Sequence, residues 1–372
     1  MQLNRLELHG YRNYKQLELE TRAGVNILIG PNAQGKTNLL EAIHVLALTK
    51  SHRTSKDKEL IGWNEPSARI KAELERRQGN VTLELQLSAQ GKRAKVNGLE
   101  QRKLSGFVGT INVVLFAPED LDIVKGAPGV RRRFMDMEIG QVHPGYLYDS
   151  QQYQRIMQQR NNYLKATDAS RASQPMLDVW NEQLVQSGVK MMQKRKNFIS
   201  KLQVWAEQIH RGITNGGEQL TVEYRPSFSG DYEASPQDES SLFQQFMLKL
   251  TQGREQEFRR GTTLAGPHRD DLAFHINGKD VQAFGSQGQQ RTAALSLKLA
   301  ELELMREEIG EYPLLLLDDV LSELDQLRQT QLIETFQNRV QTFITTTGIE
   351  SVNMSRLKDA AIYHVKDGEV RM

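Results

Sequence analysis

The sequence predicts an α/β fold in which both ends of the chain build one core around a mainly helical insert. Two apolar runs, Val25–Ile29 and Leu314–Leu317, have the composition of strands buried on both faces. Between them, apolar residues recur at helical spacing. We therefore expect the core at residues 1–130 and 260–372 and the insert at 131–259.

The composition is typical of a soluble globular protein with more than one small core. The chain has 372 residues, of which 38% are hydrophobic and 25% charged. It contains no cysteine, which excludes a disulfide framework and a zinc site built from thiolates. The longest apolar run, residues 113–117, is far shorter than the roughly 20 residues that span a bilayer. The first residues lack the apolar stretch of a signal peptide. We expect a cytoplasmic protein without a membrane partner.

The first third of the chain has the pattern of several strands and one helix. Apolar and polar residues alternate in some segments, as in half-buried strands, and Asn97-Gly98 is a hairpin signal. The predicted strands lie around residues 6–8, 17–19, 25–29, 81–87 and 113–116, and the helix at 39–48.

The insert is predicted to contain two helices between residues 143 and 212. The second helix has the clearer apolar stripe, formed by Leu184, Gly188, Met191, Phe198, Leu202, Trp205 and Ile209. Residues 151–212 carry ten lysines and arginines against four acids, which suits a polyanionic partner or an ordinary solvated face.

The last third returns to alternating strands and helices. Asp271–Ile276 followed by Asn277-Gly278 predicts a hairpin, and a helix is expected from Gly285 to about Glu308. The strand at Leu314–Leu317 should have a parallel neighbour at Val340–Thr347.

A glycine-rich loop follows the first buried strand and precedes the first helix. It fits the phosphate-binding pattern G-x-x-x-x-G-K-[ST], in which backbone N–H groups and a helix N-terminus face phosphates. Lys36 is placed to bridge the β- and γ-phosphates of a nucleotide, and the Thr37 hydroxyl to ligate Mg²⁺. The predicted ATP-binding residues here are Gly30, Pro31, Asn32, Ala33, Gln34, Gly35, Lys36, Thr37 and Asn38.

Two acids follow the buried run of leucines. A carboxylate at the end of a buried strand is placed to hold Mg²⁺, and a second can orient the attacking water. We assign Asp318 to the metal and Asp319 to the water, which makes Lys36, Asp318 and Asp319 the catalytic candidates. The alternative is a pair of exposed acids that cap the strand.

A Ser–Gly segment lies just before the last long helix. It comprises Ser286, Gln287, Gly288, Gln289 and Gln290. Taken alone it is consistent with a helix cap, but the order of motifs resembles that of ATP-binding-cassette (ABC) ATPases, whose signature motif contacts the nucleotide of the opposite subunit. Ser322 and Asp325 resemble the D-loop of that superfamily.

The resemblance narrows to one family within the SMC-like (structural maintenance of chromosomes) ABC ATPases. The insert is too short for long coiled-coil arms, and segments along the whole chain resemble the RecF family of bacterial recombination mediators. These segments are Tyr11–Tyr14, Asn38–Ala42, Lys50–Arg53, Phe116–Leu121, Gly126–Asp136, Gly266–Asp271 and Thr345–Thr347. The resemblance implies an SMC-like P-loop ATPase head that binds ATP and Mg²⁺.

The resemblance also implies a function. It implies a weak DNA-stimulated ATPase that forms an ATP-dependent homodimer on duplex or gapped DNA and resides there until it hydrolyses ATP. Its partners would be RecO and RecR and, indirectly, RecA, in gap repair, replication restart and the SOS response. Arg12 and Asn13 are expected to touch the nucleotide, and Arg53 its phosphates.

The sequence departs from ABC ATPases at three positions. Asp319 stands where many have a glutamate, so we expect slow hydrolysis. Thr346 and Thr347 stand where a switch histidine is usual, and Glu119 lies near the position of a Q-loop glutamine.

Clusters of basic residues are the candidate DNA contacts. They are Arg76, Arg77, Arg131, Arg132, Arg133, Lys194, Arg195 and Lys196, each of which is also consistent with a solvated face. The segment His268–Asp271 suggests either an acid–base or metal site or, as we favour, a polar turn.

Two other functions remain open from the sequence. One is the energy-coupling ATPase subunit of a transporter, and the other is an SMC-like ATPase that works with a separate nuclease. The missing switch histidine and Q-loop glutamine disfavour the first, and the second would require a nuclease partner.

Overall fold

The computed structural model describes residues 1–166, 174–228, 239–324, 326–348, 357 and 359–372. The chain divides into two compact units. The first comprises residues 1–121, 209–217 and 294–372, and the second comprises 122–208 and 218–293. The second unit therefore differs from the insert expected at 131–259: residues 122–130 and 260–293 belong to it, and residues 209–217 belong to the first unit.

The strands, in chain order, are β1 (Gln2–Tyr11), β2 (Tyr14–Glu20), β3 (Val25–Ile29), β4 (Ser67–Arg76), β5 (Gly79–Ser88), β6 (Gly91–Val96), β7 (Leu99–Glu100), β8 (Val113–Phe116), β9 (Leu220–Arg225), β10 (Asp271–Ile276), β11 (Lys279–Asp280), β12 (Leu314–Asp318), β13 (Thr342–Thr346), β14 (Ala361–Lys366) and β15 (Glu369–Arg371).

The α-helices are α1 (Lys36–Leu48), α2 (Leu121–Lys125), α3 (Pro128–Val142), α4 (Pro144–Ala166), α5 (Gln174–Ile213), α6 (Glu239–Arg260), α7 (Val281–Phe284), α8 (Gln287–Ile309) and α9 (Gln326–Phe336). Short 3₁₀ turns lie at Asp57–Leu60, Leu104–Gly106, Pro118–Asp120 and Leu321–Glu323. No helix within the described ranges is both long enough and apolar enough to cross a membrane.

The first unit contains two six-stranded sheets with one buried helix between them. One sheet is antiparallel in the order β2-β1-β4-β5-β6-β7. The other has the order β15-β14-β3-β13-β12-β8 and is parallel except for β15. Helix α1 packs against strands of both sheets, which is why almost all of its side chains are buried.

The parallel sheet places the predicted motifs at one edge. The ends of β3, β8, β12 and β13 lie together because neighbouring parallel strands share their direction. Ligand sites in such sheets form outside the carboxyl ends of the strands. The glycine-rich loop and the acidic pair, although distant in sequence, therefore meet at this edge.

The second unit combines helices α3 to α6 with the antiparallel sheet β11-β10-β9. Gly188 shows how closely its helices approach, because a Cβ atom there would lie 2.8 Å from Cε1 of Phe246 in α6 and 3.1 Å from Cε2 of Tyr153 in α4. The two helices predicted between 143 and 212 are confirmed as α4 and α5, and most of the apolar stripe is buried. The mixed α/β class predicted from the sequence is also confirmed.

Candidate nucleotide-binding site

The loop between β3 and α1 has the backbone geometry that the phosphate-binding pattern predicts. Ala33 and Gly35 both have positive φ angles, 65° and 116°. A Cβ atom on Gly30 would lie 2.2 Å from the carbonyl oxygen of Val365, and one on Gly35 would lie 2.6 Å from Nδ2 of Asn13. Glycine is therefore required at both ends of the loop.

Side chains outside the loop hold it in place. Asn13 Nδ2 donates to the carbonyl oxygen of Gln34 at 3.0 Å, and the Tyr14 hydroxyl donates to that of Gly35 at 2.9 Å. Asn13 Oδ1 also accepts from Asn38 Nδ2 at 2.8 Å. Asn13 and Asn38, both expected to touch the nucleotide, thus support the loop in this structure. Tyr14 lies in one of the segments that resemble the RecF family, but no role was predicted for its side chain.

Lys36 is folded against the loop that precedes it. Its Nζ donates to the carbonyl oxygens of Gly30 at 2.5 Å and Pro31 at 2.8 Å. Burial lowers the pKa of Lys36, and the charges of Asp319 and Asp318 partly oppose this effect. The lysine is therefore positioned at the loop where phosphates are expected to bind.

Asp318 lies at the centre of a small hydrogen-bond network. Its Oδ1 accepts from the hydroxyls of Thr37 at 2.9 Å and Thr345 at 2.7 Å. The aspartate is almost completely buried. A threonine hydroxyl beside a carboxylate is a set of hard oxygen donors that suits Mg²⁺, which takes few protein ligands when phosphates and water supply the rest. Consistently, the described residues contain no cluster of three or more acids, histidines or cysteines that would hold a metal alone.

Asp319 is exposed and has a left-handed backbone, with φ of 54°. Its N–H donates to Thr345 Oγ1 at 2.9 Å, and Ser322 Oγ donates to its carbonyl oxygen at 2.7 Å. Thr345 therefore contacts both acids. The sequence did not predict this role, because Thr346 and Thr347 are the residues at the position of the switch histidine. Asp325, the other predicted D-loop residue, lies outside the described residues.

Arg12, directly after β1, forms an ion pair with Glu41 of α1. Its Nε and one terminal nitrogen donate to the carboxylate of Glu41 at 2.8 and 2.7 Å, and its other terminal nitrogen donates to the Glu59 carbonyl oxygen. Glu41 is fully buried and also accepts from Ser51 Oγ at 2.5 Å. Burial alone would raise the pKa of Glu41, but the hydrogen bonds from Arg12 and Ser51 outweigh it, and the pKa is lowered. The Arg12 guanidinium, expected to touch the nucleotide, is thus occupied by Glu41. Arg53, expected to reach the phosphates, donates to Asn38 Oδ1 at 3.0 Å.

His52 is a histidine that the sequence did not single out. Both of its ring nitrogens are buried and have no hydrogen-bond partner among the described residues, and its ring contacts that of His44 edge-on. Burial lowers the pKa of His52, although the negative charges of Glu41, Asp318 and Glu119 act to raise it. Glu119 itself is exposed in the turn after β8.

The predicted signature segment begins α8 with reciprocal hydrogen bonds. The Gln289 N–H donates to Ser286 Oγ at 3.2 Å, and Ser286 N–H donates to Gln289 Oε1 at 2.9 Å. This is a capping box, so the helix-cap interpretation of the serine holds within one chain. Ser286 and Gln287 are nevertheless exposed.

Three of the arginines predicted to contact DNA form ion pairs within the protein. Arg131 donates through Nε and one terminal nitrogen to Asp271 at 2.6 and 2.9 Å, and Arg195 pairs with Asp136 at 2.7 Å. Both arginines are buried. Arg76 binds Glu311 at 2.9 Å and two carbonyl oxygens. The expectation that these three contact phosphates is corrected, because their donors are occupied inside the protein.

The other predicted DNA contacts are more accessible. Arg77 and Arg133 are exposed, Arg132 and Lys196 are half-buried, and Lys194 pairs with Asp149 at 2.8 Å. Arg132 donates to the carbonyl oxygen of Asp270 at 2.8 Å. Burial lowers the pKa of Arg132, and nearby Arg195 adds to this effect.

The segment His268–Asp271 forms a polar turn held by hydrogen bonds. His268 Nε2 lies 3.0 Å from the Thr263 carbonyl oxygen and Nδ1 lies 2.7 Å from the Tyr153 hydroxyl. The neutral tautomer with a proton on Nε2 satisfies both contacts. Burial lowers the pKa of His268 to about 4.

Comparisons with known proteins agree with this geometry. The model of the RecF/RecN/SMC N-terminal domain matches residues 2–370. A DNA replication and repair protein RecF from Bacillus cereus (strain G9842) is 53% identical over 371 residues, which cover 100% of this chain and 98% of the relative. The chain belongs to the RecF family. A RecF from Geobacillus kaustophilus (strain HTA426) is also 53% identical, with 100% and 99% covered.

Solved structures give the same assignment. A structure of the recombination mediator protein RecF with ATP, in the RecFOR pathway, is 33% identical with a TM-score of 0.90, and the match covers 99% of this chain and 96% of that one. The Smc head domain from Pyrococcus furiosus has a TM-score of 0.54 at 15% identity, with 99% and 95% covered, which shows a shared fold. The RecF family thus has the SMC-like head predicted from the sequence.

Proposed function

We propose that this chain is an ATP-binding and ATP-hydrolysing DNA repair protein of the RecF type. The observation that carries the proposal is the meeting of Thr37 and Asp318 at 2.9 Å beside a glycine-rich loop. A hydroxyl and a carboxylate in this position would hold Mg²⁺, which when bound would supply positive charge beside the phosphates. Lys36 binds the β- and γ-phosphates and the residues from Gly30 to Thr37 surround them.

ATP hydrolysis is slow because Asp319, the second acid, is a shorter residue than glutamate. Asp319 orients the attacking water, but its carboxylate is one methylene shorter than a glutamate, and its hydrogen bond from Ser322 constrains it. Slow hydrolysis suits a protein in which bound ATP sets how long a complex persists.

ATP binding joins two copies of the chain. Ser286 and the residues to Gln290 contact the nucleotide held by the other copy, with the Ser286 hydroxyl and the start of α8 facing its phosphates. The capping box orders this segment before the second copy arrives. DNA stimulates the ATPase, and Asp325 and Ser322 complete the contact between the copies.

The dimer binds duplex or gapped DNA in the cytoplasm and acts in recombinational repair. The named relatives are DNA replication and repair proteins, and one solved relative is a recombination mediator in the RecFOR pathway. RecO and RecR are therefore the proposed partners, with RecA loaded as a result, in replication restart and the SOS response. Arg77, Arg132, Arg133, Lys194 and Lys196 are the remaining candidates for phosphate contacts.

The test is DNA binding as a function of nucleotide. We expect fluorescence anisotropy to show tight binding of gapped DNA with ATP and Mg²⁺, weak binding with ADP, and no gain from ATP in Lys36→Met. Asp319→Asn should bind ATP but release DNA more slowly than the wild type. Equal affinity with and without ATP in the wild type would contradict the proposal.

A further inference from the structure

Two aromatic side chains stand out on the surface. Among the large apolar residues of the described ranges, Trp63 is 95% exposed and Phe284 78% exposed, the two highest values. Exposed aromatic residues on ordered segments are enriched at the energetic centres of protein interfaces. Both lie next to segments already assigned to the nucleotide.

Phe284 is exposed on a short helix whose other side chains fix it to the protein. It ends α7, in which Val281 is buried and the Gln282 side chain donates to the Lys125 carbonyl oxygen at 2.9 Å. A Cβ atom on the following Gly285 would lie 2.5 Å from the Val281 carbonyl oxygen, so the path of the chain into Ser286 is tightly constrained. Phe284 therefore keeps a fixed position two residues before the signature serine.

Trp63 is held outward by a turn attached to β1. The Glu65 N–H donates to the Gly62 carbonyl oxygen at 3.1 Å, and the Gly62 N–H donates to that of Gly10 at 2.7 Å. β1 ends one residue beyond Gly10, and the turn that follows it contains Asn13, whose side chain supports the phosphate loop. The tryptophan therefore lies on an ordered turn near the nucleotide site in the chain path, with no contact of its own to the phosphate loop among those described.

We propose that Phe284 and Trp63 are apolar contacts to a second copy of this chain, made when ATP is bound. The proposal rests on the proposed function, in which Ser286 touches the nucleotide of the other copy. Phe284 lies within about 7 Å of Ser286 along an extended chain and its side chain is exposed, so it is within reach of that copy. Trp63 lies in the turn joined to β1, and Asn13, just beyond that strand, supports the loop that receives the other copy's signature segment.

The charge around Trp63 favours a protein partner over DNA. Residues 53–69 contain four lysines and arginines and three acids, and Glu65 lies in the same turn as the tryptophan. Binding to a phosphate backbone requires a clear excess of positive charge, whereas this segment has an excess of only one. An aromatic centre with a balanced polar rim is typical of protein–protein interfaces.

The experiment measures the dimer dissociation constant by sedimentation equilibrium with ATP and Mg²⁺. We expect Phe284→Ala and Trp63→Ala each to raise it by about 10-fold or more, as for interface anchors. Leu99→Ala and Leu248→Ala are matched controls, because these side chains are 72% and 57% exposed on elements without a predicted nucleotide contact. The controls should match the wild type, and all four variants should bind ATP normally as monomers.

Tryptophan fluorescence gives an independent measurement. Trp180 and Trp205 are already half-buried, so a blue shift on adding ATP should come mainly from Trp63 and vanish in Trp63→Phe. Wild-type dimerisation that persists unchanged in Phe284→Ala and Trp63→Ala would overturn the inference and leave the proposed function intact. Normal dimerisation with lost DNA binding would assign these residues to DNA instead. Failure of the wild type to dimerise would overturn both.

Discussion

The hydroxyl of Thr37 lies 2.9 Å from the carboxylate of Asp318, although 281 positions separate them in the chain. The contact joins the start of α1 to the end of β12, and Thr345 donates to the same oxygen. The two ends of the chain are therefore both needed for the proposed metal site.

Asp318→Asn tests the charge at this site with little change in shape. The amide oxygen can still accept from Thr37 and Thr345, so we expect the fold to persist. Loss of the negative charge should lower kcat for ATP hydrolysis by about 100-fold or more and weaken the Mg²⁺ dependence of nucleotide binding. Asp122→Asn, at a half-exposed position in the second unit, is the control. Undiminished hydrolysis in Asp318→Asn would remove this residue from the site.

Gly35→Ala tests the packing of the phosphate loop. The positive φ strains any other residue by about 1–3 kcal/mol, and the new Cβ would also meet Asn13. Gly91 has nearly the same φ, 118°, but nothing within 4 Å of its Cβ position. We expect both variants to lose stability in thermal unfolding, but only Gly35→Ala to lose nucleotide affinity. Equal affinities would show that the contact with Asn13 has no effect on the loop.

Arg12→Met tests the buried ion pair. The change leaves the carboxylate of Glu41 buried without its main partner, and we expect a loss of about 3 kcal/mol in the free energy of unfolding. The pKa of Glu41 is lowered in the folded protein, so its contribution is present at neutral pH and lost as the pH falls. The deficit of the variant should therefore shrink in acid. Arg371→Met, whose pair with Glu369 is exposed, should cost at most about 1 kcal/mol.

His268 should make stability depend on pH. Its pKa is about 4 in the folded protein, against an ordinary value near 6.5, so the unfolded chain binds the proton more readily. Stability is then full above about pH 6.5 and falls by up to about 3 kcal/mol as the pH drops toward 4. Urea titrations between pH 4 and 7 should show a smaller slope in His268→Gln than in the wild type. An equal slope would assign the pH dependence to other groups.

The sequence predicted most of the central sheet because its strands are buried on both faces. Val25–Ile29 and Val113–Phe116 have the predicted bounds, and the parallel pairing of β12 with β13 is confirmed. Such strands are continuous apolar runs with clear ends. Helix α6 was not predicted, although Leu242, Phe246 and Leu250 repeat every four residues and are buried.

Long-range polar contacts could not be predicted. Local sequence patterns identify the glycines, the lysine and the acids of the site. The pairing of Arg12 with Glu41, in contrast, depends on how β1 and α1 pack. The same limit explains the error at Arg131 and Arg195. A cluster of basic residues indicates charge, but only the tertiary structure shows which guanidinium groups are neutralised internally.

In the proposed mechanism, ATP joins two copies of the chain through a composite site. Light scattering should measure the molar mass, with and without ATP and Mg²⁺, for wild type, Ser286→Arg and Lys36→Met. We expect the wild type to double its mass only with ATP. Ser286→Arg should stay monomeric while it still binds nucleotide, and Lys36→Met should bind nucleotide poorly. A mass that never changes, or normal dimerisation by Ser286→Arg, would contradict the composite site.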